Sequence, residues 1–435
     1  MQRVSKREYR RIVNSWAMYD WANSAFYTTV LAMFPPFFRE LARSAGVGEA
    51  DATAYWAYTT SIGLLAAALL GPILGAISDH TGSKKKYIAS FAGLGILATT
   101  AMFFLKGADY RFASLLFVLG TVGVAGSNVF YESLLPHIAS KEDIDRISTR
   151  GYALGYVGGG TLLVINVLWF SFPETFWIPD SETAVRVSFL SVAIWWGLFS
   201  IPLMRNVPEP VVVHIRGEGE GALGAGLWRL FQTFLEVRKY RQLLLFLLAF
   251  WLYNDGIGTI MKMAVAYGDE IGIGVTEMVV AFALTQFVGI PCTFAFGWLA
   301  GRIGVKQAIL SGLSVYVVIS IFGFFMTTAT HFFILAIAVG LVQGGTQALS
   351  RSLFSRMIPK GRSAEFFGFF STSEKLAGMV GPVLFGVVSQ LSGESRLSIL
   401  SLIVFFVGGG LLLSRVNVDE GCRVAQENDL SKGVR

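Results

Sequence analysis

Long apolar runs decide what this chain can become. Between Ile12 and Phe38 the sequence carries one charged residue, Asp20. Eleven further hydrophobic runs follow at about 53–77, 87–105, 112–135, 151–172, 187–204, 242–267, 276–300, 307–328, 332–350, 366–390 and 397–414. A helix crosses a bilayer core with ~20 mostly apolar residues. Backbone polar groups in lipid must also be satisfied within the segment, which favours helices. The runs predict an all-α integral membrane fold with twelve transmembrane helices. Composition agrees: 54% of residues are hydrophobic, mean hydropathy is +0.58 and 15% are charged, against about 25% charged in ordinary soluble domains.

Cation placement orients the runs. With the N-terminus inside, the loops on that side hold 27 Lys and Arg, including Lys84, Lys85, Lys86, Arg351, Arg356, Lys360 and Arg362. The other side holds Arg39, Arg43, Lys106, Arg111, Arg186 and Arg396, and Lys262 and Lys375 fall within helices. Both termini are therefore expected in the cytoplasm. The first run is too long for a signal peptide and lacks a small-residue cleavage site, so it reads as a retained helix. Cys292 and Cys422 lie in a hydrophobic run and in the tail, and no disulfide framework is implied. No Asn-x-Ser/Thr acceptor occurs, in keeping with a bacterial inner membrane; a eukaryotic relative would sit in a vacuolar-type membrane.

The stretch from Arg205 to Arg241 divides six runs from six. Pro208, Pro210 and Gly217-Glu218-Gly219-Glu220-Gly221 mark a linker. Leu227, Leu230, Phe231 and Phe234 share one face of a helix expected on the cytoplasmic surface. The expected organisation is a first six-helix bundle (1–204), a linker (205–240), a second six-helix bundle (241–414) and a cytoplasmic tail (415–435). The halves echo one another. Gly75-x-x-x-Asp79-x-x-Gly82-x-Lys84 returns 222 residues later as Gly297-x-x-x-Gly301-x-x-Gly304-x-Lys306. Leu134-Leu135-Pro136 returns as Met357-Ile358-Pro359, and Gly155-x-x-Gly158 as Gly378-x-x-Gly381, both 223 residues on. Tyr19-Asp20 lines up with Tyr253-Asn254.

Gly75-x-x-x-Asp79-x-x-Gly82-x-Lys84-Lys85 resembles the signature of the major facilitator superfamily. Gly75 and Gly82 permit close packing and a tight turn, and Asp79 can latch onto a cation or a helix N-terminus at the cytoplasmic face. The lysines are explained by the positive-inside rule alone. The second copy carries Gly301 where the aspartate would be. A narrower likeness rests on Tyr19-Asp20-Trp21-Ala22-Asn23-Ser24, Asn128-x-x-Tyr131-x-x-Leu134-Leu135-Pro136 and Ser148-x-Arg150-Gly151-x-Ala153-x-Gly155. Tyr253-Asn254-Asp255-Gly256, Gln347-Ala348-Leu349-Ser350-Arg351-Ser352 and Glu365-Phe366-Phe367-Gly368-Phe369 extend it. With these the chain resembles the vacuole-effluxer-like (autophagy-related amino-acid effluxer) branch, whose bacterial members form the "unknown major facilitator" group. That resemblance implies a small-solute exporter or permease; its fungal relatives look like exporters of amino acids from the vacuole.

Polar residues single out particular runs. The first carries Asp20, Asn23 and Tyr27 on one face, the fourth Asn128 and Glu132, and the seventh Asn254, Asp255 and Lys262. The tenth carries Gln343, Gln347 and Arg351 at four-residue steps, and the eleventh Glu374 and Lys375. Runs one, four, seven and ten line the cavity in the superfamily, so these thirteen residues form the expected substrate and proton cavity. Gly75, Asp79, Gly82, Lys84 and Lys85 form the expected cytoplasmic gate motif. Asp20 and Asp255 read as groups for a substrate amine or a proton. Glu132 and Arg351, near the cytoplasmic ends, fit a salt-bridged gate as well as a binding role.

There is no phosphate loop, no metal cluster among the four histidines and no catalytic constellation. A non-enzymatic, cofactor-free secondary transporter is expected, proton-coupled or facilitative, working by alternating access on small solutes such as amino acids. Its partners are the solute and the bilayer, not nucleic acid, and a monomer suffices. The alternatives are an exporter of a larger drug-like or lipid-like amphiphile, and a receptor or scaffold on a transporter fold.

Overall fold

A computed structural model gives the structure of residues 5–431 apart from 82, 141, 211–239, 379 and 393–394. Gly82 and the surface helix expected around Leu227–Phe234 lie outside the described residues. Apolar runs with few helix breakers fold as helices, and among the described residues no strand occurs.

The helices before the linker are α1 (Lys6–Ala25), α2 (Leu31–Ser44), α3 (Glu49–Thr81), α4 (Lys84–Ala101), α5 (Tyr110–Ser133), α6 (Leu135–Ile138), α7 (Ile144–Ser171) and α8 (Ser181–Asn206). After it come α9 (Arg241–Glu270), α10 (Val275–Ile303), α11 (Val305–Phe324), α12 (Ala329–Met357), α13 (Ser363–Ala377), α14 (Val380–Ser392), α15 (Ser395–Ser401), α16 (Ile403–Ser414) and α17 (Val418–Ser431). Local chemistry sets several ends. Asp180 accepts from Thr183 N at 2.7 Å and opens α8, and that bond holds its carboxyl below the ordinary aspartate range.

Ten stretches among the described residues are long and apolar enough to cross a membrane. The runs expected at 12–38 and 366–390 are instead interrupted helices. The first changes to a π turn at Phe26–Val30 and then continues through Pro35 and Pro36 of α2. The second breaks between α13 and α14. A π turn shifts the hydrogen-bond register, and proline removes a donor, so neither run keeps one continuous ladder.

Aromatic packing fills the interior. Phe34, Phe38, Phe117 and Phe189 are buried together in the first half, and Phe250, Phe354, Phe367 and Phe370 in the second. Leu69, Leu97, Phe322 and Val404 remain exposed on the helix surfaces, the pattern a lipid-facing surface requires. Across the halves, α3 packs along α13, and α7 along α10 and α12. The α3–α13 contact is backbone against backbone. A Cβ on Gly75 would strike the Ala364 carbonyl and come within 2.9 Å of Glu365 Cα, and one on Gly368 would come within 2.6 Å of Gly71 O. Small residues permit such approach where lipid offers no hydrophobic drive between helices.

The tail is a helix rather than an extended strand of chain. Asp429 of α17 accepts from Lys360 N at 3.0 Å, and Asn428 donates to the Tyr240 hydroxyl at 2.6 Å.

Replacing Gly75 by Leu forces α3 and α13 apart. A lower melting temperature in detergent is expected, corresponding to about 1–3 kcal/mol of overpacking, whereas Gly93→Leu, at an open position, leaves it near the parent value.

Candidate functional site

A guanidinium in a membrane interior needs a counter-charge and acceptors for its five donors. Arg351 on α12 is 1% exposed. Its Nη1 and Nη2 both donate to Asp20 Oδ2 of α1 at 3.2 Å. Its Nε donates to Ser148 Oγ and its Nη2 to Ser148 O, each at 2.9 Å. The Tyr131 hydroxyl donates to the same Asp20 oxygen at 2.8 Å, and Glu132 Oε1 stands 3.9 Å from Nη1. Three rings face the cation, with centroids 4.4 Å (Tyr152), 5.0 Å (Trp16) and 6.0 Å (Tyr131) away. Trp16 stacks on Tyr131 at 4.6 Å and donates to its carbonyl at 3.1 Å, which fixes the plane of the cage.

Asp20, Glu132 and Arg351 are thus brought together, and their grouping joins the two halves of the chain. The sequence reading leaves Glu132 and Arg351 open between a salt-bridged gate and a binding role; the structure makes Asp20 the nearer partner of Arg351. It missed Trp16, Tyr131, Ser148, Gly151 and Tyr152 as members of this centre. Trp16 and Asp20 are one helical turn apart, and Ser148, Gly151 and Tyr152 share a face of α7, but nothing in the sequence says that α12 crosses there.

One turn further along α1, Asn23 donates to Asn128 Oδ1 at 2.6 Å, and Asn128 donates to the Tyr27 hydroxyl at 3.1 Å. Asn23 is buried, whereas Tyr27 is 42% exposed, so this amide chain runs from the packed interior toward open space. Glu374 and Lys375 lie within electrostatic reach of Glu132, and Lys375 Nζ donates to Ser371 Oγ. Gln343 and Gln347 are half-buried on α12.

Asp255 and Lys262 form a separate feature at the break in the eleventh run. Asp255 Oδ2 accepts from Gly381 N, in the first turn of α14, at 2.7 Å, and Lys262 Nζ donates to Gly378 O, just past α13, at 2.8 Å. A carboxylate at the helix N-terminus and an ammonium at the C-terminus each match the local dipole. Thr259 donates to Asp255 O at 2.7 Å, and the adjacent Asn254 is buried.

The gate motif sits at the cation-rich end. Asp79 Oδ2 accepts from Glu365 N, in the first turn of α13, at 2.8 Å. Lys84 Nζ bonds Asp79 Oδ1 at 2.5 Å and Ser363 Oγ at 2.8 Å. Lys84 is 2% exposed, so it is a buried partner of Asp79 and Ser363 rather than a surface cation attracted to headgroups. Lys85 is half-buried, its Nζ donating to Val207 O at 2.8 Å. The second copy carries Gly301 at that position, and nearby Asp145 of α7 joins the halves by binding Arg356 of α12 at 2.5 Å and the Ser352 hydroxyl. Ser148 Oγ donates to Ala348 O at 2.7 Å beside it.

Removing one member of the buried pair leaves an uncompensated charge. Asp20→Ala alone is expected to cost about 3–5 kcal/mol of stability, whereas Asp20→Ala combined with Arg351→Met stays within about 2 kcal/mol of the parent. A double-mutant cycle on denaturant midpoints checks this.

A family model described as "Vacuole effluxer Atg22 like" matches residues 8–426. The MFS-type transporter YxiO of Bacillus subtilis (strain 168) is 38% identical over 433 residues, covering 99% of both chains. Autophagy-related protein 22 of Eremothecium gossypii is 26% identical over 479 residues, covering 96% of this chain and 93% of the relative. Among solved structures, the proton:xylose symporter XylE bound to 6-bromo-6-deoxy-D-glucose has a similar fold. Its TM-score is 0.73 at 11% identity, over 95% of this chain and 97% of that one.

Proposed function

Since the chain belongs to the vacuole effluxer Atg22-like family of MFS-type membrane transporters, we propose that it moves a small solute by alternating access. The two halves, divided at the 205–240 linker, rock as bundles of six crossings each, with both termini in the cytoplasm. Transport is secondary, driven by a proton gradient or facilitative, and the solute class includes amino acids. The protein works as a monomer in a bacterial inner membrane.

The observation that carries this reading is the buried Asp20–Arg351 pair between α1 and α12. A charge pair that spans two packed bodies is a poor stabiliser compared with apolar packing, yet costly to leave half-made. It suits a contact that is broken and remade. The Asp79–Glu365 N latch and the Asp145–Arg356 pair act at the same cation-rich end. Together they hold that end shut in the conformation described. Opening exchanges these contacts for water and gives the cytoplasm access to Asn23, Tyr27, Asn128, Glu132, Glu374 and Lys375. These, with Asp20, Arg351, Gln343 and Gln347, are the groups proposed to meet solute and proton. Asp255, Asn254 and Lys262 are proposed to brace the break through which the eleventh run bends.

Two measurements test the reading. In a protein freed of Cys292 and Cys422, Ala348→Cys is expected to resist a membrane-impermeant maleimide presented from the cytoplasmic side. Asp79→Asn, which weakens a charge-assisted latch worth about 1.5–3 kcal/mol, should raise the labelling rate roughly tenfold or more. In proteoliposomes, counterflow of amino acids and other small polar solutes is expected to respond to an imposed pH gradient. Labelling that ignores Asp79→Asn would remove the gate, and an absence of counterflow for every solute class would remove the transport reading.

A further inference from the structure

Among the described residues, every group that holds the Arg351 side chain belongs to the first half of the chain. Asp20 and Trp16 come from α1, Tyr131 and Glu132 from α5, and Ser148 and Tyr152 from α7. Arg351 alone arrives from the second half. The site is shaped for a planar cation. Ser148 offers its hydroxyl and carbonyl to one edge, Asp20 accepts along another, and Trp16 and Tyr152 present ring faces within cation–π range. Gly151 leaves the necessary room. A Cβ there would strike Asp20 Oδ2 and come within 2.9 Å of Arg351 Nη2 and 3.1 Å of the Trp16 ring. The cage is also braced from within its own half, through the Trp16–Tyr131 stack and the Tyr131–Asp20 hydrogen bond.

We propose that the first half carries a preformed receptor for a cationic nitrogen group, which Arg351 fills here and an alkylguanidinium or alkylammonium group of the transported solute fills when Arg351 withdraws. The proposal rests on the alternating-access reading and gives its solute a chemical class. When the halves part at the cation-rich end, Arg351 leaves with α12. The vacated cage then holds a carboxylate pair, two serine acceptors and three aromatic faces with no cation. A buried site of that kind retains an affinity for the group it was built around. Occupation by solute and by Arg351 is mutually exclusive, because both need the same oxygens of Asp20 and Ser148. The bound solute therefore holds the end open, and the return of Arg351 displaces it. That is differential binding to two states, the condition a ligand must meet to shift a conformational equilibrium. Arg351 thus meets the solute as a tethered competitor for the cage.

The test empties the cage without needing the natural solute. Arg351→Ala protein, purified in detergent, is titrated with N-ethylguanidinium or ethylammonium chloride against sodium chloride at equal ionic strength. A concentration-dependent rise in melting temperature is expected, half-maximal on the order of millimolar for so small a ligand. No such rise is expected in Arg351→Lys, which keeps a tethered cation, or in Arg351→Ala combined with Trp16→Ala. An equal rise in all three proteins, or none in monodisperse Arg351→Ala, overturns the receptor. A second measurement keeps Arg351 in place. In the Asp79→Asn, Ala348→Cys protein, N-ethylguanidinium should raise maleimide labelling further by holding the end open; labelling unchanged by the probe counts against the receptor. The two readings fail separately. Stabilised Arg351→Ala with labelling indifferent to Asp79→Asn sinks the gate and keeps the receptor, whereas the reverse pattern sinks the receptor alone.

Discussion

The structure turns on one requirement: a guanidinium buried in a membrane protein must find its counter-charge within the protein. Arg351 is enclosed on α12, and its compensation lies on α1, α5 and α7. Continuum electrostatics makes an isolated ion in such surroundings costly by several kcal/mol even after relaxation. The approach of α12 to α1 and α7 therefore does more than bury apolar area. It neutralises a charge on α12 whose counter-charges lie on α1 and α5 of the first half. The Ser148–Ala348 hydrogen bond and the Asp145–Arg356 pair extend the same seam along α7.

Helix ends supply the second kind of electrostatics. At the cation-rich end, Asp79 addresses the first turn of α13, and Lys84 bridges Asp79 to Ser363. Deeper in the bundle the eleventh run is broken, and α9 covers both new ends, Asp255 against the start of α14 and Lys262 against the end of α13. A broken ladder in a low-dielectric interior leaves orphan N–H and C=O groups. A single helix bearing an acid and a base seven residues apart satisfies one of each. The chemistry of the break sets it apart from the Arg351 centre.

Small residues decide how closely these charges can be brought. Gly75 and Gly368 let α3 and α13 meet backbone to backbone, which carries Asp79 to the Glu365 amide. Gly151 likewise leaves α7 open where the guanidinium lies. In both places a methyl group would separate a charge from its partner, so packing and electrostatics are one constraint seen twice.

The sequence alone determined the membrane class, the helical content and the motif that resembles the superfamily signature, because hydrophobic length and loop charge act locally and need no knowledge of the fold. It also named Asp20 and Glu132, since a charge inside an apolar run is conspicuous wherever it points, Arg351 by its four-residue spacing from Gln343 and Gln347, and Asp79 and Lys84 through the motif. Tertiary structure decided the partners. That Arg351 meets Asp20 ahead of Glu132, that Lys84 is buried against Ser363, and that Asp145 pairs with Arg356 all depend on helices more than a hundred residues apart. The aromatic cage was invisible for the same reason: Trp16, Tyr131 and Tyr152 look like ordinary core residues until α12 sets a cation between them. The interruptions of the first and eleventh runs escaped too, because hydropathy records apolar length and not the continuity of the hydrogen-bond ladder. Periodicity along one helix reports which face is polar; only the crossing of two helices reports what that face touches.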